Sequence, residues 1–265
     1  MTLFEAFILG IIQGLTEFLP VSSSGHIEIG KVVLGVDVTD SLIFSVVVHG
    51  ATSLSTIIIF RKEIMKLIAG LFQFKYNFET DYILKILISV IPVFILYKLF
   101  KDQIESVFTG NMLLVGSMLI VTALLLTFTN FKKAGEKQVG FGGALIIGIA
   151  QAIAILPGIS RSGATISTSL LLGVGKEEST KFSFLMVLIP IIGGSFLELL
   201  DYLGKPVASL GVSAIALIVG FVAAFLSGLF ACQLMIKIVN RGKLIYFAVY
   251  CLVVGIGAII YSLSR

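Results

Sequence analysis

One stretch of this sequence occurs twice, and that repetition constrains the fold more than any other feature. Gly10 to His26 reads GIIQGLTEFLPVSSSGH, and Gly148 to Gly163 reads GIAQAIAILPGISRSG, at a constant offset of 138 residues. Gly10 matches Gly148, Gln13 matches Gln151, Ser22 matches Ser160, Ser24 matches Ser162 and Gly25 matches Gly163. Two positions differ in kind: Ile155 stands where Glu17 is, and Arg161 stands where Ser23 is. One copy carries the acid and the other the base. The register continues past the motif, with Leu34-Gly35-Val36 matching Leu172-Gly173-Val174 and Phe44-Ser45 matching Phe182-Ser183. It has slipped by one residue where Val115-Gly116 faces Val254-Gly255.

The two copies sit in a chain that is 57% hydrophobic and 13% charged, the composition of a polytopic membrane protein. The net charge of +4 reflects cationic loops, and without a basic run or RNA-binding motif it argues against nucleic-acid binding. Cys232 and Cys251 lie in apolar runs without metal-ligand spacing and read as packing residues. Glu5 interrupts the first apolar run and no basic segment precedes it, which argues against a cleaved signal peptide.

Leu3 to Leu19 is apolar apart from Glu5, Gln13, Thr16 and Glu17, and Pro20 stops it. Ser22 to Gly35 is too short and too polar to cross a bilayer, which takes about 20 apolar residues. The pair reads as a re-entrant helical hairpin, tolerated at depth only where protein or a polar cavity covers its tip. Spans follow at about 41–60, 82–100 and 111–130, with a charged loop (Arg61, Lys62, Glu63, Lys66, Lys75, Glu79, Asp81) after the first. Asp37 and Asp40, Asp102 and Glu105, and Lys132 and Lys133 mark the other returns to water. The second half replays this order: a hairpin at about 141–173 and spans at about 182–200, 211–235 and 244–263.

The expected fold is therefore an all-α integral membrane protein made of two repeats, 1–138 and 139–265, each one re-entrant hairpin plus three transmembrane helices. An odd number of crossings per repeat makes the topology inverted. With the Arg61 loop inside, thirteen Lys and Arg are cytoplasmic and five (Lys31, Lys98, Lys101, Lys205, Arg265) are outside, so both termini should face outward. The hairpin tips then meet near the midplane.

A carboxylate at bilayer depth costs roughly 2.5 to 3.5 kcal/mol, so Glu17 needs a partner, and Arg161 is the candidate. Gln13 and Glu17, four apart, share a helix face. Pro20 ends that helix, and a serine among Ser22, Ser23 and Ser24 caps the next, whose free N–H groups make an anion site. His26, one turn on, should lie beside a serine hydroxyl. Ser160, Arg161, Ser162 and Thr165 form the mirror-image cluster. A cation, many donors, one carboxylate and one titratable base are the parts for binding a pyrophosphate or phosphate and transferring a phosphoryl group. His49, Gln151, Glu28, Lys31 and Glu198 read as packing or boundary residues.

The first stretch resembles the (E/Q)xxxE and PVSSxGH motifs of the undecaprenyl-pyrophosphate phosphatase family, the bacitracin-resistance type. PGISRSGAT, Pro157 to Thr165, resembles its PGxSRSxxT motif. The resemblance covers essentially the full length. It implies a multi-pass enzyme of the bacterial plasma membrane that removes the terminal phosphate of undecaprenyl pyrophosphate, recycling the lipid carrier of cell-wall synthesis. It implies a divalent cation, Mg²⁺ or Ca²⁺, with Gln13 and Glu17 as ligands; Gln13 is the uncharged option of its motif, leaving one strong carboxylate. On this reading Arg161 clamps the pyrophosphate, Ser23 is nucleophile or positioning hydroxyl, and His26 is its base or the acid for the leaving group. Gln13, Ser22, Ser24, Ser160, Ser162 and Thr165 bind substrate. The other function such an architecture serves is a transporter or flippase of an anionic lipid or small anion. The lipid substrate and the bilayer are the expected partners, and a homodimer stays open.

Overall fold

The computed structural model describes residues 1–36, 41–107, 110–131, 135–203 and 212–264. Asp37, Asp40, Lys132, Lys133, Lys205 and Arg265 lie outside the described residues, as do the side chains of Asp102, Glu105 and Glu198. The described chain is all-helical: α1 (Leu3–Phe18), α2 (Ser23–Leu34), α3 (Ser41–Ile59), α4 (Arg61–Leu71), α5 (Phe78–Ser106), α6 (Met112–Asn130), α7 (Phe141–Ile153), α8 (Arg161–Leu171), α9 (Lys176–Leu203), α10 (Ala214–Asn240) and α11 (Ile245–Leu263). Apart from one isolated bridge, Lys137 to Val174, no strand occurs among the described residues.

Five helices (α5, α6, α9, α10 and α11) are long and apolar enough to cross a membrane, and α3 with α4 makes a sixth candidate bent by 77°. Large apolar side chains stay exposed along them, among them Phe94 at 65%, Phe230 at 62% and Val253 at 64%. Such faces are stable only against lipid, so the chain is a multi-pass membrane protein. The charged segment after α3, expected as a loop, is in part the helix α4. It carries Arg61, Lys62, Glu63 and Lys66 while exposing Met65, Ile68 and Leu71, and this mixed surface suits a helix at the membrane boundary. Glu28 is buried and bonded to Lys31 Nζ at 2.8 Å, so these two form a pair instead of reaching separately to water.

Both copies of the duplicated motif fold as broken helices. α1 runs against α10 and α7 against α5. Each contact depends on a matched glycine: a Cβ on Gly10 would lie 2.5 Å from the Gly220 carbonyl oxygen, and one on Gly148 would lie 2.3 Å from that of Ser89. Gly116 on α6 and Gly255 on α11 face each other, so that a Cβ on either would strike the other's carbonyl oxygen. The main apolar core, including Leu119, Leu126, Phe182, Met186, Met235 and Cys251, lies behind the hairpins. A second cluster around Leu9, Phe44 and Val48 fixes α1 against α3 and α10.

Candidate active site

The break after α1 is set by Pro20, and it leaves the Leu19 and Pro20 carbonyls free of the helix ladder. Leu19 O accepts from Val21 N at 2.8 Å and from Ser162 Oγ at 3.3 Å, and Cys251 Sγ lies 3.7 Å from Pro20 O. Ser22 caps α2 at φ +70°, a left-handed position uncommon for a residue with a Cβ. Its hydroxyl accepts from Gly25 N and from Gly158 N, both at 3.2 Å, and so takes a backbone donor from each hairpin. The strain is held in place by these two hydrogen bonds. Gly158, at φ +103°, could not be replaced: a Cβ would sit 2.5 Å from the Val115 carbonyl oxygen. Ser160 caps α8 by accepting from Gly163 N at 3.0 Å. Thr122 on α6 accepts from Ser160 N and donates to Gly158 O, each at 3.0 Å, fixing the second tip from behind.

These caps bring the acid of one copy to the base of the other. Arg161 Nη2 donates to Glu17 Oε1 at 3.0 Å. Glu17 Oε2 accepts from Ser23 Oγ at 2.6 Å and from Gln13 Nε2 at 2.9 Å. The Glu17 side chain is 8% exposed and that of Arg161 27%, so the carboxylate is enclosed while the guanidinium keeps an open side. The N-termini of α2 and α8, with Ser23 and Arg161 as their first residues, bring helix-dipole charge of one sign to the same space. A short O–H···O⁻ bond between Ser23 and Glu17 is the geometry that removes a hydroxyl proton as the oxygen attacks.

The remaining candidates take distinct places. His26 does not reach a serine hydroxyl: its Nδ1 lies 2.9 Å from the Ser22 carbonyl oxygen and so carries a proton, and its Nε2 lies 2.8 Å from Tyr250 OH on α11, with the rings stacked. Ser24 is 3.3 Å from Ser22 Oγ, and Ser162 is 3.2 Å from Ser160 Oγ. Thr165 spends its hydroxyl on Arg161 O at 2.8 Å. Gln13 is fully buried and its Oε1 has no donor. Gln151 is buried away from any partner, with neither amide atom bonded.

Sequence reasoning placed α3 as a span but missed its part in the site. His49, read as a packing residue, is held by Ser45 O at 2.8 Å through Nδ1 and places Nε2 3.8 Å from Glu17 Oε2. Thr52, Ser53 and Thr56 line a small cavity that also touches Glu17 and Arg161, and Ser183 on α9 joins them. The spacing His49, Thr52, Ser53, Thr56, one face of a helix inside an apolar span, was the signal available.

The sequence profile of the bacitracin resistance protein BacA matches residues 6–257. The chain is 51% identical over 268 residues to an undecaprenyl-diphosphatase of Christiangramia forsetii, covering 100% of both chains. It is 50% identical to one of Bacteroides fragilis, covering 99% of each. It is 39% identical to one of Halothermothrix orenii, again over 99% of each. A match across nearly the whole length, on a fold that places both motifs at one locus, shows that the chain belongs to the BacA bacitracin-resistance family.

Proposed function

We propose that this protein is an undecaprenyl-diphosphatase of the bacterial plasma membrane. It hydrolyses undecaprenyl pyrophosphate to undecaprenyl phosphate and inorganic phosphate, and so returns the cell-wall lipid carrier. The observation that carries the chemistry is Glu17, which holds Ser23 on one carboxylate oxygen and Arg161 of the other repeat on the second. A transporter or flippase of an anionic lipid needs binding groups only. A serine donating at 2.6 Å to a carboxylate favours a reaction centre.

Arg161, open on one side, turns to the terminal phosphate of the substrate and binds it bidentately. Glu17 takes the Ser23 proton as Oγ attacks the terminal phosphorus, and the bridging P–O bond breaks to release undecaprenyl phosphate. The N–H groups at the starts of α2 and α8 stabilise the charge on the equatorial oxygens. His26, held by Ser22 O, turns Nε2 to the leaving phosphate once Tyr250 yields that position, and as the imidazolium donates to it from Nε2. Ser22, Ser24, Ser160, Ser162 and Thr165 shape and hold the two tips around the pyrophosphate.

A divalent cation, Mg²⁺ or Ca²⁺, is part of this proposal. The fit rests on Gln13 Oε1, a buried oxygen without a donor on the same helix face as Glu17. Among the described residues no cluster of three His, Cys, Asp or Glu could hold a metal alone, so Gln13 and Glu17 would hold the ion together with the substrate's own oxygens. When bound, it would neutralise phosphate charge.

The hairpins are read as re-entrant from opposite sides, in two inverted repeats, 1–138 and 139–265, with both termini outside. Three observations support this: the matched packing of α1 on α10 and α7 on α5, the face-to-face contact of Gly116 with Gly255, and the excess of cationic residues on one set of loops.

The test is phosphate release from undecaprenyl pyrophosphate by the purified protein in detergent, with and without EDTA. Turnover that EDTA abolishes and Mg²⁺ or Ca²⁺ restores is expected. Lipid binding without phosphate release, under added metal, would sink the reading and favour a carrier.

A further inference from the structure

The small cavity beside the Glu17–Arg161 pair has walls from α1, α3, α8 and α9. Most hydroxyls around it are already spent: Thr52 donates to His49 O at 3.0 Å, Thr56 to Thr52 O at 3.2 Å and Thr165 to Arg161 O at 2.8 Å. Two are not. Ser53 on α3 and Ser183 on α9 are 5% and 1% exposed, and neither Oγ has a hydrogen-bond partner. A buried hydroxyl left unpaired costs about 1 to 3 kcal/mol. Two of them on the wall of one cavity, from helices of different repeats, point to a polar ligand that both serve.

The size of the cavity says which ligand. About 20 Å³ is open to the centres of water-sized molecules. One water needs roughly 10 to 15 Å³ by that measure, together with two to four polar partners. Glu17, Ser53, Arg161 and Ser183 supply those partners, and the space is too small for a tetrahedral phosphate.

We infer that this cavity positions the water that completes hydrolysis, with Ser53 and Ser183 as its positioning residues and Glu17 as its base. The inference rests on the diphosphatase reading above and adds the second half of the reaction. The proton that Glu17 took from Ser23 first leaves with the departing undecaprenyl phosphate; water then gives a proton to Glu17 while its oxygen bonds to the phosphorus carried by Ser23. The P–Oγ bond breaks, Ser23 Oγ takes the proton back from Glu17, and inorganic phosphate leaves. One carboxylate thus serves both steps, first for Ser23 and then for the water, which accounts for its contact with the hydroxyl and with the cavity.

The test is acceptor competition. Purified enzyme is given undecaprenyl pyrophosphate labelled in the terminal phosphate, in buffer containing methanol, and labelled methyl phosphate is measured against labelled phosphate. Ser53→Ala and Ser183→Ala remove a water partner and open room for a methyl group, so each should raise the methyl phosphate share several-fold. Ser53→Thr, which keeps the hydroxyl and fills space, should lower total release without raising that share. A share in the two alanine variants no higher than in the wild type would overturn the inference, because a purely structural role of these serines would slow both products equally. Failure of the wild type to release any labelled phosphate would instead remove the diphosphatase reading on which it rests.

Discussion

The two hairpins descend from one sequence pattern and have divided the chemistry between them. On the proposed mechanism, the first carries the groups that change protonation or make bonds: Glu17, Ser23 and His26. The second carries Arg161 with serine and backbone donors, and its own counterpart of Glu17 is Ile155. The glutamines show the division most clearly. Gln13 donates to Glu17 at 2.9 Å, whereas Gln151 is buried with both amide atoms unbonded. A residue kept in both copies is thus tied to the site in one and idle in the other. Equal sequence at two matched positions does not give equal function when the neighbour one turn away has changed.

The sharpest way to break the comparison is to remove its charged members. Glu17→Gln and Arg161→Ala should each lower kcat/KM for phosphate release by about 10³-fold, roughly 4 kcal/mol, in protein shown to be folded by its elution and melting behaviour. An Ile155→Glu change added to Glu17→Gln should restore nothing, since the second tip has no serine at the position of Ser23. A smaller effect sharpens the contrast between the glutamines. Gln13→Leu should cost about 10- to 100-fold in the same assay and weaken metal binding, so that less EDTA stops turnover in a titration. The smallest effect falls on the other copy: Gln151→Leu should leave activity within about twofold of wild type and raise stability by about 1 to 2 kcal/mol, read as a higher melting temperature in detergent. Loss of activity in Gln151→Leu would show that the second copy does more than position Arg161.

Much of this was legible in the sequence because the repeat offset acts as a distance constraint. It predicted that Glu17 and Arg161 meet although 144 residues apart, and it put the first cap among Ser22, Ser23 and Ser24, of which Ser22 is the one; at the second tip the cap is Ser160 and not Arg161, the residue the sequence pointed to. The i, i+4 spacing likewise predicted the Gln13–Glu17 contact. What stayed hidden was the contribution of the spanning helices. Hydroxyls inside an apolar helix bond the carbonyl a turn earlier, as Thr52, Ser55 and Thr56 do, so a stripe of them reads as packing. His49 is disguised in the same way, its Nδ1 taken by Ser45 O. Tyr250, 224 residues from His26, stands on a helix whose sequence gives no sign of a polar partner. The helical part of the charged segment at Arg61 was missed because Arg61, Lys62, Glu63 and Lys66 at its start read as a return to water.

The measurement that tests the central claim most directly is a double-mutant cycle between the two hairpins. Phosphate release is measured for the wild type, Glu17→Gln, Arg161→Lys and the double variant, all folded and with metal added. If one reaction centre is built from both copies, the double variant should be about as slow as the slower single variant, a strongly non-additive result. Losses that simply multiply would mean that the acid and the base act independently, and would contradict a shared site.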